Sequence, residues 1–113
     1  MSDQLIWAVK NGDLDALKKN KIDVNIPVGN TVLLCAAADY GQCEVIDYLL
    51  SCGAEVNQED KYGITPLLAA IFENHLEAAQ LLLKKGASKS GKGPDGSSYI
   101  ECAESNEMKL LLA

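Results

Sequence analysis

The chain has 113 residues, enough for one domain with a modest core, and a hydrophobic content of 48% lets it fold rather than stay disordered. Its net charge of −6, with ten lysines and no arginine, argues against nucleic acid as a ligand and suits a partner that presents a basic surface. No apolar run approaches the roughly 20 residues of a membrane-spanning helix, and the first residues lack the basic start and apolar stretch of a secretory signal, so a soluble cytoplasmic protein, small enough to enter the nucleus passively, is the expectation.

The first segment, about residues 1–29, contains Trp7-Ala8-Val9-Lys10-Asn11-Gly12-Asp13-Leu14-Asp15. It reads as the end of one helix, a turn and the start of a second, short helix that ends near Lys19-Asn20. No glycine closes that helix, and Asn20 is the residue able to take the left-handed turn there. In the second segment, about 30–62, Leu34, Ala37 and Ala38 form the buried face of a first helix. Val45, Ile46, Leu49 and Leu50 form that of a second, which Gly53 closes. Val32 and Leu33 stand where a cap is expected, so this start is weak.

The third segment, about 63–95, has the stronger signals. Thr65 can cap a helix through its hydroxyl, and Pro66 suits the first helical position, where no amide donor is lost. Leu67, Ala70 and Ile71 fall on one apolar face. A second helix spans about Leu76 to Lys84, and Gly86 ends it with a left-handed turn. The last segment, 96–113, is short. Hairpin tips join the segments at roughly Val28 to Thr31, Glu59 to Ile64 and Lys92 to Ser97.

These segments repeat. Gly53-Ala54 recurs as Gly86-Ala87, Leu49-Leu50 as Leu82-Leu83, Gly41 as Asn74, Leu34 as Leu67, and Gly63 as Gly96, always 33 residues apart. That period is the ankyrin period, and Ile64-Thr65-Pro66-Leu67-Leu68-Ala69-Ala70 resembles the ankyrin pattern closely. The fold class is therefore all-α: a solenoid of stacked helix-turn-helix units in one domain, 1–113, with two full repeats between two capping half-repeats, and most simply a monomer. Terminal units of such a stack are atypical because each meets a neighbour on one side only.

In a stack of this kind the first helices line the concave side, and helical spacing identifies the face they leave unburied. It carries Trp7, Lys10 and Asn11 in the first unit, Ala36, Asp39 and Tyr40 in the second, and Ala69, Phe72 and Glu73 in the third. Three of the six aromatic residues fall on this stripe beside two acids, which points to a binding patch for a basic protein. Tyr62, on a hairpin tip at the same rim, is a further contact candidate. Packing of Trp7 against the N-terminal cap and of Phe72 into a gap between helices is the competing reading.

Catalytic and metal chemistry finds no foothold. Cys35, Cys43, Cys52 and Cys102 form no close pair, and the single His75 has no matching ligand set, so no metal, cofactor or disulfide is expected. His75 follows Asn74 at a helix start, where the ankyrin pattern uses histidine structurally. Cys43 has no histidine nearby in sequence, and Gly91-Lys92-Gly93 lacks the spacing of a phosphate loop. The chain is expected not to be an enzyme.

The two end motifs narrow the resemblance. Trp7 through Asp15 and Lys92-Gly93-Pro94-Asp95-Gly96, together with the overall length, are similar to the myotrophin family of small ankyrin proteins. That resemblance implies binding to the heterodimeric actin capping protein, on the basic surface that otherwise grips the filament's barbed end, so that capping is prevented and filaments keep growing. Trp7, Tyr40 and Phe72 would then be apolar anchors, and Asp39 and Glu73 would meet basic side chains. Two departures stand out: the first repeat is a few residues short, and its tip, Ile26-Pro27-Val28-Gly29-Asn30, lacks the acid expected of the family. An ankyrin adaptor or inhibitor acting on a transcription factor or kinase is the alternative, since one fold carries many partners.

Overall fold

The computed structural model describes residues 2–19 and 23–113. Among them the chain forms eight helices: α1 (Ser2–Asn11), α2 (Leu14–Lys19), α3 (Leu33–Asp39), α4 (Cys43–Ser51), α5 (Pro66–Phe72), α6 (Leu76–Lys84), α7 (Tyr99–Cys102) and α8 (Asn106–Leu112). The odd-numbered helices stack on one another as an inner layer, α1 on α3, α3 on α5 and α5 on α7, and the even-numbered helices stack as an outer layer behind them. The turn expected at Asn20 lies outside the described residues.

The sequence explains why each element forms. Thr65 caps α5 by accepting the Leu68 N–H at 3.3 Å, and Pro66 occupies its first turn. Val32 precedes α3 with no side-chain cap. Ser98 and Glu101 form a reciprocal capping box at α7. Leu34, Leu67, Ile46, Leu49 and Leu82 are fully buried between the layers, each contributing on the order of 1.5–3 kcal/mol. Ala37, Ala38, Ala70 and Ala79 are equally buried and let the helices approach closely. Ala36 and Ala69, expected on the open stripe, are also buried, at 6% and 5% exposure. Their methyl groups are too short to clear the larger side chains around them.

A polar ladder fixes each repeat on the one before. Gln42 donates from Nε2 to the Lys10 carbonyl at 2.8 Å, and one repeat later His75 Nε2 meets the Asp39 carbonyl at 3.0 Å. The approach is close enough to need glycine. A Cβ on Gly12 would stand 2.8 Å from the Gln42 amide oxygen, and one on Gly41 2.7 Å from the His75 ring. Both glycines are left-handed, at φ +71° and +66°, so they also make the corner between a first and a second helix. At the next corner Asn74 takes φ +54° instead, and Ser105 binds its side chain.

A second ladder runs along the loops. Asn25 Oδ1 accepts the Glu55 N–H at 2.8 Å, and Asn57 Oδ1 accepts the Ser88 N–H at 2.9 Å. The tips differ. The first is a two-residue turn, Gly29-Asn30, closed by pairing of Val28 with Thr31. The second is longer: the Asp60 N–H reaches the Ile64 carbonyl at 3.0 Å, and the Asp60 carboxylate accepts the Tyr62 and Ile64 N–H groups.

Candidate protein-interaction groove

The C-terminal ends of α1, α3 and α5 share one groove with residues of the first two hairpin tips. Lys10 ends the first unit's contribution, Asp39 and Tyr40 the second's, and Phe72 and Glu73 the third's. The 33-residue period aligns Asp39 with Phe72 and Tyr40 with Glu73. Ring and acid therefore exchange places from one repeat to the next, and carboxylates alternate with rings across the surface.

A groove of about 270 Å³ opens between these ends and the tips. Lys10, Asp39, Tyr40 and Phe72 form its helical wall, Thr31, Asp60 and Ile64 its tip wall, and the buried Cys35, Ala36 and Ala69 line it from below. The rings are open to solvent, with Tyr40 at 47% and Phe72 at 42% exposure. Neither is in the core.

The remaining residues singled out in the sequence lie around this groove rather than in its lining. Trp7 occupies the α1 position that Ala36 holds in α3, and with an indole in place of a methyl it is 59% exposed. The Trp7 carbonyl accepts a 2.8 Å bond from Asn11 Nδ2, so that amide is engaged with its own helix. Glu73 is the C-cap residue of α5, and its carboxylate acts electrostatically on Asp39. Tyr62 sits on the second tip, 55% exposed, where its hydroxyl accepts a 3.2 Å bond from Asn30 of the first tip.

The site's electrostatics are unbalanced. Partial burial, and then the neighbouring Glu73 carboxylate, push the Asp39 carboxyl above its ordinary value, although His75 and Lys10 pull the other way. The Lys10 ammonium stands 5.2 Å from the centre of the Tyr40 ring. Below, Cys35 stands where the ankyrin pattern prefers histidine, and its thiol donates to the Ile64 carbonyl at 3.3 Å, tying α3 to the second tip. Burial, followed by the Asp60 and Asp39 charges, drives that thiol well above the ordinary cysteine range, so it stays protonated and able to donate.

Thr31, Asp60 and Ile64 lie on the hairpin tips that the sequence places at the rim of this side, but which tip residues enter the groove's lining was not legible, because that depends on the stack. Ile26, 59% exposed beside the first tip, was missed for the same reason. Among the described residues no group of histidine, cysteine or acidic side chains could hold a metal ion, and no helix is long and apolar enough to cross a membrane. All four cysteines are free thiols.

Paired helices in two layers, short hairpin tips and an open inner face define an ankyrin-repeat solenoid, a scaffold for binding other proteins. The family model for ankyrin repeats, in three copies, matches residues 5–92. Myotrophin of Xenopus tropicalis is 48% identical over 113 residues, covering 96% of each chain, and the protein belongs to the myotrophin family of ankyrin-repeat proteins. A putative ankyrin repeat protein of Rickettsia bellii is 36% identical, over 81% of this chain and 36% of its own length. Serine/threonine-protein kinase 12 of Arabidopsis thaliana is 31% identical, over 74% of this chain and 19% of its own.

Proposed function

We propose that the chain is a non-enzymatic regulator that sequesters the heterodimeric actin capping protein and so keeps filament barbed ends open. The observation that carries this reading is the groove itself, where exposed rings alternate with carboxylates on a face the fold does not need to bury, in a chain similar to myotrophin along 96% of its length. A basic surface on the partner would be drawn in by the acids, which speeds encounter, and the rings would supply the desolvated contact that slows release. Trp7, Tyr40 and Phe72 are the anchors of this reading, Asp39 and Glu73 its charge partners, with Lys10 beside them in the groove wall and Asn11 and Tyr62 at its rim. The protein would act as a monomer in the cytoplasm, with access to the nucleus.

Elongation of actin filaments from barbed ends, in the presence of capping protein, tests the proposal. Adding the chain in excess restores elongation, and Trp7→Ala, at an exposed position, weakens that effect without unfolding the protein. Undiminished capping at a large molar excess sinks it. Direct, saturable inhibition of a kinase or transcription factor through the same groove would favour the adaptor reading instead.

A further inference from the structure

We propose that the groove beside Tyr40 is a slot for one arginine side chain of the partner, and that Lys10 fills this slot in the free protein as an internal competitor. The inference rests on the capping-protein reading for the identity of the partner, but not for the chemistry of the slot. Lys10 Nζ lies 5.2 Å from the Tyr40 ring centre, inside the range of about 6 Å over which a ring face attracts a cation. The same side chain lines the groove with Asp39, Asp60 and Phe72, so a cation already stands among the rings and carboxylates that a partner's cation would use. It also acts electrostatically on the Asp39 carboxylate, which faces the Glu73 charge as well.

Lys10 is held weakly. It is exposed, and among the described residues its ammonium is in no ion pair within 4.0 Å; the pair found is Lys85 with Asp47, on the outer layer. A lysine ammonium is a compact, strongly hydrated charge on a flexible stem. A guanidinium is planar and more weakly hydrated, stacks on a ring and can bond a carboxylate in two places. Arginine is therefore the better occupant, and the chain contains none of its own to fill the slot from within. The open volume of about 270 Å³ leaves room for the exchange.

The outer layer provides the control. Lys18 Nζ stands 5.9 Å from the Tyr48 ring, where α2 meets α4, so Lys18→Gln removes the same charge from a site outside the groove. Four proteins are compared: the wild type, Lys10→Gln, Lys10→Arg and Lys18→Gln. Each is titrated with capping protein and, separately, with a tetra-arginine peptide amide while the Tyr40 ring resonances are followed. Relative to Lys18→Gln, Lys10→Gln binds both ligands about two- to fivefold tighter, the loss expected for one exposed cation–ring contact. Lys10→Arg, with unchanged charge, binds both more weakly than the wild type, and repeating the four proteins in a Tyr40→Leu background, with affinities read by calorimetry, abolishes these differences.

The peptide decides the slot. No shift at Tyr40, or equal tightening by Lys10→Gln and Lys18→Gln, overturns it whatever capping protein does. If the peptide gives the stated order while capping protein does not bind, the slot stands and the partner reading fails.

Discussion

In the third repeat α5 begins at Thr65, whose hydroxyl accepts the Leu68 N–H and shares a 2.7 Å hydrogen bond with the buried Tyr99 hydroxyl. In the second repeat α3 begins at Val32, which is fully buried and offers no cap. Both helices run seven residues. The difference shows what a central position in a solenoid supplies. With α1 on one side and α5 on the other, α3 is held by packing on both flanks, and packing rather than local propensity provides most of a helix's stability in a folded protein. α5 has only the four-residue α7 beyond it, and there the local cap and its link to Tyr99 carry more of the load.

The corner between the paired helices should give the largest effect. Gly41→Ala places a methyl against the His75 ring on a backbone of φ +66°, whereas Gly53→Ala meets open space at φ +98°. Left-handed strain alone costs about 1–2 kcal/mol. Displacing His75 from the Asp39 carbonyl adds roughly 1 kcal/mol more. Because both substitutions carry left-handed strain, urea unfolding should show Gly41→Ala to be the more damaging of the two by the share of the His75 contact, about 1 kcal/mol. Equal losses would mean that the inter-repeat bond contributes nothing.

Thr65→Val comes next. It keeps the shape of the side chain but removes the cap and leaves the Tyr99 hydroxyl, in a residue 3% exposed, without its partner. The expected cost is about 1–3 kcal/mol by urea unfolding. A loss below about 0.5 kcal/mol would show that α5, like α3, is held by packing alone.

Much of this was readable in the chain. The 33-residue period, the Thr65-Pro66 start and the glycines Gly53 and Gly86 after the second helices of the two full repeats are local or periodic signals, and α6 runs from Leu76 to Lys84 as its spacing predicts. Trp7, Tyr40 and Phe72 could be placed on an open face because helical spacing alone separates them from Leu34 and Leu67. The tips could be placed at the rim of that face, but spacing does not say which of their residues line the groove. Asp60 reads as a turn residue in the sequence and becomes part of a groove only when its hairpin folds beside Ala36 and Phe72. The pairing of Gln42 with Lys10 and of His75 with Asp39 was likewise hidden, because each bond joins neighbouring repeats whose spacing differs: the first unit is shorter, so its corner Gly12 lies 29 residues before Gly41.

Cys35 sharpens the comparison through pH. In the second repeat a thiol ties α3 to its neighbouring tip, while Leu68 stands at the matching place in the third. The folded thiol titrates far above its ordinary value near 9.0 because it is buried among acids. Between those two values the unfolded chain loses this proton and the folded chain keeps it, so stability falls as pH rises, by up to about 1.4 kcal/mol per pH unit from this group. The contribution is intact below about pH 8. Cys35→Ala should flatten the decline in urea-derived stability between pH 8.5 and 10.5 relative to the wild type; parallel curves would show that the thiol ionises freely. Cys52, exposed on the outer layer, should react with a thiol reagent well before Cys35 does.

Asp39 produces the smallest change in stability, and it separates what the groove does for the fold from what it does for a partner. Its carboxyl is raised by partial burial and by Glu73, so in the window above its ordinary value of 3.8 the folded chain holds more protons than the unfolded one. Stability attributable to this group therefore declines as pH rises through that window, and at neutral pH the ionised carboxylate is a slight liability. Asp39→Asn removes the charge and keeps the shape, and because His75 bonds the backbone carbonyl, the inter-repeat link survives. Unfolding at pH 7 should show a stability unchanged or raised by up to about 0.5 kcal/mol. Binding to capping protein at the same pH should weaken by about 1 kcal/mol, roughly fivefold, and the loss should shrink as salt is added. A variant that loses stability and binding together would place Asp39 among the residues that hold the stack, whereas one that gains stability while losing affinity identifies a carboxylate retained for its partner at the fold's expense.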